Sequence, residues 1–202
     1  MTNRLTFDLD GGVLAVGEVG ELLALESRAT ESDLASVEGI SSQSRRAERL
    51  SWRALLREVE PLAQVEYCGR KPRILNSKYN QISVSHCVDV VAVMLGDRPC
   101  GVDVERTNRD FGRVMSRYMT SAESSLSADE HWPAVVWCAK EALFKMAGRE
   151  GVDFKRDIQI ISAEQPVGFV RGRWHLVAHL FGERVELQGI PIDDDHILVF
   201  TL

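Results

Sequence analysis

The sequence lacks several features that would place the protein in a special structural class. Its 202 residues include only four cysteines, at positions 68, 87, 100 and 138, and no two of them have C-x-x-C spacing. Buried thiols are therefore expected rather than a zinc site or a disulfide framework. No apolar run approaches the length that a membrane span requires, so no membrane association is expected.

The N-terminal segment and the charge balance exclude further classes of protein. The opening segment MTNRLTFDLDGG carries acidic residues where a signal peptide needs basic ones, and no apolar segment follows. A cytoplasmic location is therefore expected. The chain has 24 Lys and Arg against 30 Asp and Glu, a net charge of −6, which argues against general nucleic-acid binding.

What the sequence does contain is a mixture of helical and extended patterns. Helices are predicted over residues 20–37, 43–60, 109–119 and 131–147, and strands in most of the remaining apolar segments. The segment QISVSHCVDVVAVMLGDRPCGVDVE predicts a hairpin of two strands that turns at GDRP. Each half of the chain thus combines helices with strands, and the change from one half to the other falls near residue 100. No Ser-, Gly- or Pro-rich linker separates the halves, so tight packing is expected.

Two carboxylates in the segment GVDVE are candidates for a metal site. Side chains alternate along a strand, so Asp103 and Glu105 share one face, roughly 6.5 to 7 Å apart, while Val102 and Val104 take the other. A solvated strand face explains such a pair. The alternative is a hard divalent cation such as Mg²⁺, which takes oxygen ligands and bridges to phosphate, and a third carboxylate nearby would favour it.

The segment WCAKEALFK supplies a third carboxylate on a predicted helix. At 100° per residue, an aliphatic stripe occupies one side, and Trp137, Lys140, Glu141, Phe144 and Lys145 fall within an arc of about 140° on the other. An exposed face with a Glu141–Lys145 pair is the simplest interpretation. It leaves two aromatic rings in water, however, so the wall of a cleft is favoured. In such a wall the lysines meet phosphate and Glu141 binds metal or acts as a base.

A third group of candidates lies in RKPRILNSKYNQISVSHC. Lys71 precedes Pro72 in a stiff extended segment, which suits a fixed backbone position beside a ligand. His86 ends an apolar strand, where a histidine is usually structural, although its pKa near neutrality would also suit a phosphate contact.

The order of these motifs resembles that of the 4′-phosphopantetheinyl transferases of the surfactin-synthetase-activating type. The matching elements are Lys71–Pro72, Ser85–His86, Gly101–Glu105 and Trp137–Lys145, and RLSWRALL resembles the helix that precedes the first motif. The resemblance implies an α+β fold of two similar halves related by a pseudo-twofold axis. On this basis residues 1–100 and 101–202 are expected to form the halves, with the active site in the cleft between them.

The resemblance also implies a reaction and a set of roles. Such enzymes use Mg²⁺ to transfer the phosphopantetheine arm of coenzyme A to a serine of an apo acyl or peptidyl carrier protein. Adenosine 3′,5′-bisphosphate is released. Asp103, Glu105 and Glu141 would hold the metal, and Glu141 and Lys145 would be catalytic. The expected coenzyme contacts are Arg53, Lys71, Ser85, His86, Lys140 and Lys145, with Lys140 helping from the rim. A monomer is expected, because the site needs no second subunit.

Basic residues after GVDVE suggest where the carrier protein would bind. Arg109, Arg113 and Arg117 would form one stripe on the predicted helix over 109–119. An acidic carrier helix would be attracted to this stripe, although a solvated basic face explains the spacing as well.

Two other functions use the same residues. A Mg²⁺-dependent phosphohydrolase or nuclease also needs three carboxylates and a lysine, and a catalytically silent carrier-binding protein would keep the fold. The negative net charge argues against a nuclease. The presence of Asp103, Glu105, Glu141 and Lys145 argues against a silent protein.

Overall fold

A computed structural model describes residues 4–69, 71–165 and 173–202 of the chain. It has a mixed α+β fold, as expected, and divides into two compact units, Met1–Arg98 and Pro99–Leu202. Among the residues described, no helix is long and apolar enough to cross a membrane.

Over residues 4–69 and 71–98, the first unit consists of three helices, a four-stranded sheet and a separate two-stranded hairpin. In chain order its elements are β1 (Arg4–Leu9), β2 (Gly12–Glu18), α1 (Leu22–Glu26), α2 (Glu31–Ser36), α3 (Gln43–Val59), β3 (Gln64–Cys68), β4 (Lys71–Leu75), β5 (Gln81–His86) and β6 (Val90–Gly96). The antiparallel sheet has the order β1-β2-β6-β5, and β3 pairs with β4. The apolar face of α3, which includes Trp52, Leu55 and Leu56, forms one core with residues of β2, β5 and β6.

In its described residues, 99–165 and 173–202, the second unit is a five-stranded antiparallel sheet with one long helix packed against it. Its elements are β7 (Val102–Arg106), α4 (Met115–Tyr118), α5 (Ser121–Ser124), α6 (Trp132–Ala147), β8 (Ile158–Glu164), β9 (Trp174–Leu180), β10 (Glu183–Pro191) and β11 (His196–Thr201). The strand order is β7-β11-β10-β9-β8, which places β7 at an edge. Helix α6 begins with a proline in its first turn and ends at Gly148, whose φ of 61° suits a glycine.

The long helices and most of the strands confirm the sequence predictions. The predicted aliphatic stripe of α6 is in the core: Val135, Ala139, Ala142 and Leu143 are fully buried. Of the cysteines, Cys100 and Cys138 are buried thiols and Cys87 is half-buried, and the side chain of Cys68 lies outside the described part of the chain.

Three predicted elements are wrong. The predicted helix over 20–37 is two short helices, because Thr30 and Asp33 form a capping box that starts α2 afresh. The predicted helix over 109–119 is reduced to the four residues of α4, and the residues before it form turns. The hairpin predicted at GDRP does not form: β6 pairs with β2 and β5, whereas β7 pairs with β11.

Candidate active site

Strand β7 carries the first two candidate carboxylates, as predicted. Asp103 is buried and Glu105 is half-buried, and Val102 and Val104 alternate with them and are buried as well. Because β7 is an edge strand that contacts α6, its carboxylates lie next to the helix that carries Glu141.

A glycine permits this close approach of strand and helix. A Cβ atom added to Gly101 would lie 1.9 Å from the carbonyl oxygen of Ala142, far inside van der Waals contact. Only a residue without a side chain therefore fits where the chain enters β7. The backbone of Gly101 is held in the sheet by two hydrogen bonds with Thr201, each of 3.0 Å. The glycine of the GVDVE motif thus sets the separation between the carboxylates of β7 and α6.

Two cations of the chain itself contact the carboxylates of β7. Lys145 Nζ lies 2.8 Å from Asp103 Oδ1 and also donates to the carbonyl of Val102 at 2.9 Å. Arg109 forms an ion pair with Glu105 Oε1, and the indole N–H of Trp137 donates to the same oxygen at 3.2 Å. The second unit thus brings the predicted residues of β7 and α6 together, and it adds Arg109 to them.

Glu141 differs from the other two carboxylates in its contacts. It is half-buried, and no hydrogen bond or ion pair joins its side chain to any residue that the structure describes. Burial, followed by the negative charge of Asp103, raises the pKa of Glu141, and Glu105 raises it further against the opposing effect of Lys145. Burial and Asp103 raise the pKa of Glu105 for the same reasons, against the opposing charge of Arg109. The three carboxylates therefore repel one another across a small space.

The aromatic side of α6 is packed rather than open. The Trp137 ring lies 5.1 Å from that of Tyr118 in an edge-on arrangement, and 6.4 Å and 6.2 Å from those of Phe111 and Phe154. Phe144 also packs on Phe154, at 5.7 Å. These rings were expected to form a cleft wall. Trp137 and Phe144 are half-buried and belong, with Phe111, Tyr118 and Phe154, to one aromatic cluster, in which the Trp137 indole contacts Glu105. The cleft wall stays a prediction.

The rim position predicted for Lys140 is wrong. Its side chain is 0% exposed, and its Nζ lies 2.6 Å from Glu123 Oε1. It also donates to the carbonyls of Phe154 and Ile158, at 2.6 Å and 3.0 Å. An ammonium group has three donors, so this set uses them all. Lys140 is therefore a structural residue, and we do not propose a coenzyme contact for it.

Glu123, the partner of Lys140, was missed by the sequence analysis. It is 2% exposed and caps α5, where its Oε2 accepts from the backbone N–H of Thr120 at 2.8 Å and from the Thr120 hydroxyl at 3.0 Å. Its Oε1 accepts from the backbone N–H of Ile160 at 2.9 Å. The segment TSAE has the capping-box pattern, which would have placed Glu123 at a helix start but not beside Lys140.

The predicted stripe of three arginines does not form on one helix. Arg109 lies in the turn after β7 and faces Glu105 and Trp137. Arg113 is also in a turn and pairs with Asp110, at 2.8 Å. Only Arg117 belongs to a helix, the short α4, where it is exposed. Arg113 and Arg117 stay candidates for a carrier contact, whereas the contacts of Arg109 belong to the carboxylate cluster.

Among the candidates in the first unit, Arg53 is buried and paired. It is 5% exposed, its guanidinium lies 3.3 Å from Asp33 Oδ1, and it stacks over the ring of Trp52 at 5.0 Å. Arg57 pairs with the other oxygen of Asp33. Arg53 thus joins α2 to α3, and the coenzyme contact predicted for it stays a prediction.

The remaining candidates of the first unit lie on its strands. Lys71 begins β4 and is half-buried, and Ser85 is buried within β5. His86 ends β5 with a side chain that is 48% exposed, and its Nδ1 lies 3.3 Å from a carboxylate oxygen of Glu48. Because Ser85 and His86 are successive residues of a strand, their side chains point to opposite faces. Their roles as coenzyme contacts stay predictions.

The donor set of the carboxylate cluster fits a hard divalent cation. Asp103, Glu105 and Glu141 offer only oxygen atoms, which Mg²⁺ prefers. Burial raises the pKa of both glutamates, and the negative charge of Asp103 raises it further. Lys145 and Arg109 offset part of the negative charge of the three carboxylates.

Comparison with known proteins agrees with this chemistry. Residues 99–198 match the family model of the 4′-phosphopantetheinyl transferase superfamily, and this segment includes the whole carboxylate cluster. No curated protein matches the chain closely enough to count as a relative. The segment 99–198 is therefore similar to the domains of the 4′-phosphopantetheinyl transferase superfamily.

Proposed function

We propose that the protein transfers the 4′-phosphopantetheine arm of coenzyme A to a serine of an apo acyl or peptidyl carrier protein. The observation that carries the proposal is the convergence of Asp103, Glu105, Glu141 and Lys145 within the segment that matches the superfamily. The order of the motifs along both halves of the chain further favours the surfactin-synthetase-activating type. A monomer is proposed, because these four residues belong to one chain.

The reaction breaks the phosphoanhydride bond of the coenzyme A pyrophosphate and forms a phosphoester bond to serine. The serine hydroxyl oxygen forms a bond to the phosphorus that bears the pantetheine arm, and the bond from that phosphorus to the bridging oxygen breaks. Adenosine 3′,5′-bisphosphate leaves with the bridging oxygen and its electron pair. The hydroxyl proton must be removed, and the negative charge on the leaving oxygen must be offset.

The residues of the cluster suit these two requirements. Glu141 is the proposed base, since it has no competing hydrogen bond among the described residues, and a pKa raised by burial and by Asp103 makes it a better proton acceptor. Asp103, Glu105 and Glu141 would hold Mg²⁺, which supplies charge neutralisation at the pyrophosphate when bound. Lys145 would transfer its hydrogen bond from Asp103 to a phosphate oxygen.

Incubation with coenzyme A, Mg²⁺ and an apo carrier protein tests the proposal by intact-mass measurement. An apo acyl carrier protein and an apo peptidyl carrier domain should be tried separately. We expect a mass increase equal to one phosphopantetheine arm on the carrier, and none when a chelator replaces Mg²⁺. Cleavage of coenzyme A with an unmodified carrier would favour a phosphohydrolase. Carrier binding without cleavage or modification would favour a silent binding protein.

A further inference from the structure

Arg109 occupies a position that neither the motifs nor the superfamily match explains. The chain turns sharply after β7, with the N–H of Phe111 bonded to the Arg109 carbonyl at 2.8 Å. This turn returns the Arg109 side chain to Glu105, its ion-pair partner four residues earlier. The guanidinium lies 5.2 Å from the centre of the Trp137 ring and 5.5 Å from that of Phe111. Ion pairing and cation–π contact thus hold it over the aromatic cluster.

The contacts of Glu105 indicate that this ion pair is exchangeable. The same oxygen of Glu105 accepts from both Arg109 and the indole N–H of Trp137. If Arg109 moves away, the half-buried indole still holds that oxygen, so the carboxylate keeps its orientation. The Arg109 side chain is 45% exposed, so it has the freedom to turn outward.

The charges of the cluster give a reason for the exchange. Three carboxylates face two cations, Lys145 and Arg109, which leaves one net negative charge when no metal is bound. A divalent cation that joins the same groups would leave an excess of positive charge. An incoming pyrophosphate, with negative charges of its own, then becomes the natural partner of a displaced guanidinium.

We propose that Arg109 is a resident counter-cation of the carboxylate cluster, which leaves Glu105 when a divalent metal binds and then contacts the phosphates of the incoming coenzyme. The inference rests on the proposed function for the identity of the phosphates. It replaces the carrier contact that the sequence analysis predicted for Arg109. Arg109 is thus the counter-ion of Glu105 in the metal-free protein and a phosphate contact in the loaded one.

The proposed exchange predicts that removal of the Arg109 charge changes the affinities for the metal ion and for pyrophosphate in opposite directions. Without the positive charge, a divalent cation meets no competitor at Glu105, so its affinity rises. Pyrophosphate loses a partner, so its affinity in the presence of metal falls. If Arg109 only supported the local fold, its removal would weaken both.

Calorimetry on the full chain measures both changes in affinity. Mn²⁺ is titrated alone, and inorganic pyrophosphate is then titrated at saturating Mn²⁺. We expect Arg109→Gln to bind Mn²⁺ roughly three- to tenfold more tightly than the wild type, as for one unit charge removed from a half-exposed site. Pyrophosphate should bind at least about fivefold more weakly. Arg109→Lys keeps the charge and should stay near the wild type for Mn²⁺.

Arg113→Gln is the matched control, because it removes the same charge from the same segment at a side chain that is 87% exposed and paired with Asp110. It should leave both affinities within about twofold of the wild type. Unchanged or weaker Mn²⁺ binding by Arg109→Gln would overturn the inference. If the wild type binds no Mn²⁺, both the metal assignment and the inference fail. If it modifies no carrier protein but shows the two opposite effects, only the proposed function fails.

Discussion

Lys140 provides the sharpest test of the structure, because the sequence and the structure give it different roles. The buried pair of Lys140 and Glu123 has all its donors and acceptors satisfied by backbone groups and by each other. Removing one partner of such a pair leaves an unpaired buried charge and costs about 3–5 kcal/mol. At about 2–4 °C per kcal/mol for a chain of this length, Glu123→Gln and Lys140→Met should each lower the midpoint of thermal unfolding by roughly 6–20 °C.

The double variant distinguishes a buried ion pair from two independent effects. Glu123→Gln with Lys140→Met leaves no stranded charge, so its loss of stability should be smaller than the sum of the single losses by about 2 kcal/mol or more. Denaturant unfolding followed by tryptophan fluorescence measures this, since the Trp132 indole donates to the Glu123 carbonyl at 2.8 Å. Lys155→Met, at an exposed lysine of the same unit, is the control and should change stability by less than about 0.5 kcal/mol. Wild-type stability in Lys140→Met, together with a higher KM for coenzyme A, would refute the structural role.

Three further predictions concern the strand–helix contact, the coenzyme and the carrier protein. Gly101→Ala should destabilise the protein by more than about 2 kcal/mol in denaturant unfolding, because its methyl group meets a backbone carbonyl of α6; wild-type stability would contradict the close approach. Lys145→Ala and His86→Ala should each weaken coenzyme A binding by about 1.5–3 kcal/mol in calorimetry with Mg²⁺, and unchanged affinity in both would mean that the phosphates bind elsewhere. Reversal of Arg113 and Arg117 to Glu should raise the KM for carrier protein at low salt and leave that for coenzyme A unchanged; an unchanged KM for the carrier would make these arginines ordinary surface residues.

The local patterns of the sequence were sufficient to predict the strand and the helix that carry the candidate site. Alternation in GVDVE predicted the strand of Asp103 and Glu105, and the 3.6-residue period predicted the helix of Glu141 and its buried stripe. Both patterns depend only on neighbouring residues. The contact between strand and helix depends on Gly101. The need for glycine at this position follows from the carbonyl of Ala142, which lies against it in the folded protein and which the sequence pattern does not reveal.

The wrong predictions concern side chains and strands whose contacts are made with residues distant in the sequence. A helical arc of 140° includes Lys140 and Lys145 together, and nothing within that helix distinguishes them. The two lysines differ in their partners: Lys140 pairs with Glu123 on α5, and Lys145 pairs with Asp103 on β7. Arg109 was assigned to a helical stripe by spacing alone, whereas ion pairing with Glu105 and the turn after β7 decide its position.

The hairpin predicted at GDRP failed for a similar reason. Two apolar strands separated by a turn signal satisfy the local rule for a hairpin. The strand that follows the turn pairs instead with β11, whose residues are almost 100 positions away in the chain. Local sequence does not encode a preference between a near and a remote strand of similar hydrophobicity, because both would satisfy the same backbone donors and acceptors.

The rate of carrier-protein modification by Glu141→Gln and Asp103→Ala tests the central claim most directly. Both variants should fold, since Glu141 has no hydrogen bond to a described residue and Lys145, the partner of Asp103, is partly exposed to water, and unfolding curves check this. With an apo carrier protein that the wild type modifies, intact-mass time courses should show less than about a tenth of the wild-type rate for each variant, the loss expected for a general base or a metal ligand. A folded Glu141→Gln or Asp103→Ala variant that retains more than that rate would contradict the proposed role of the carboxylate cluster.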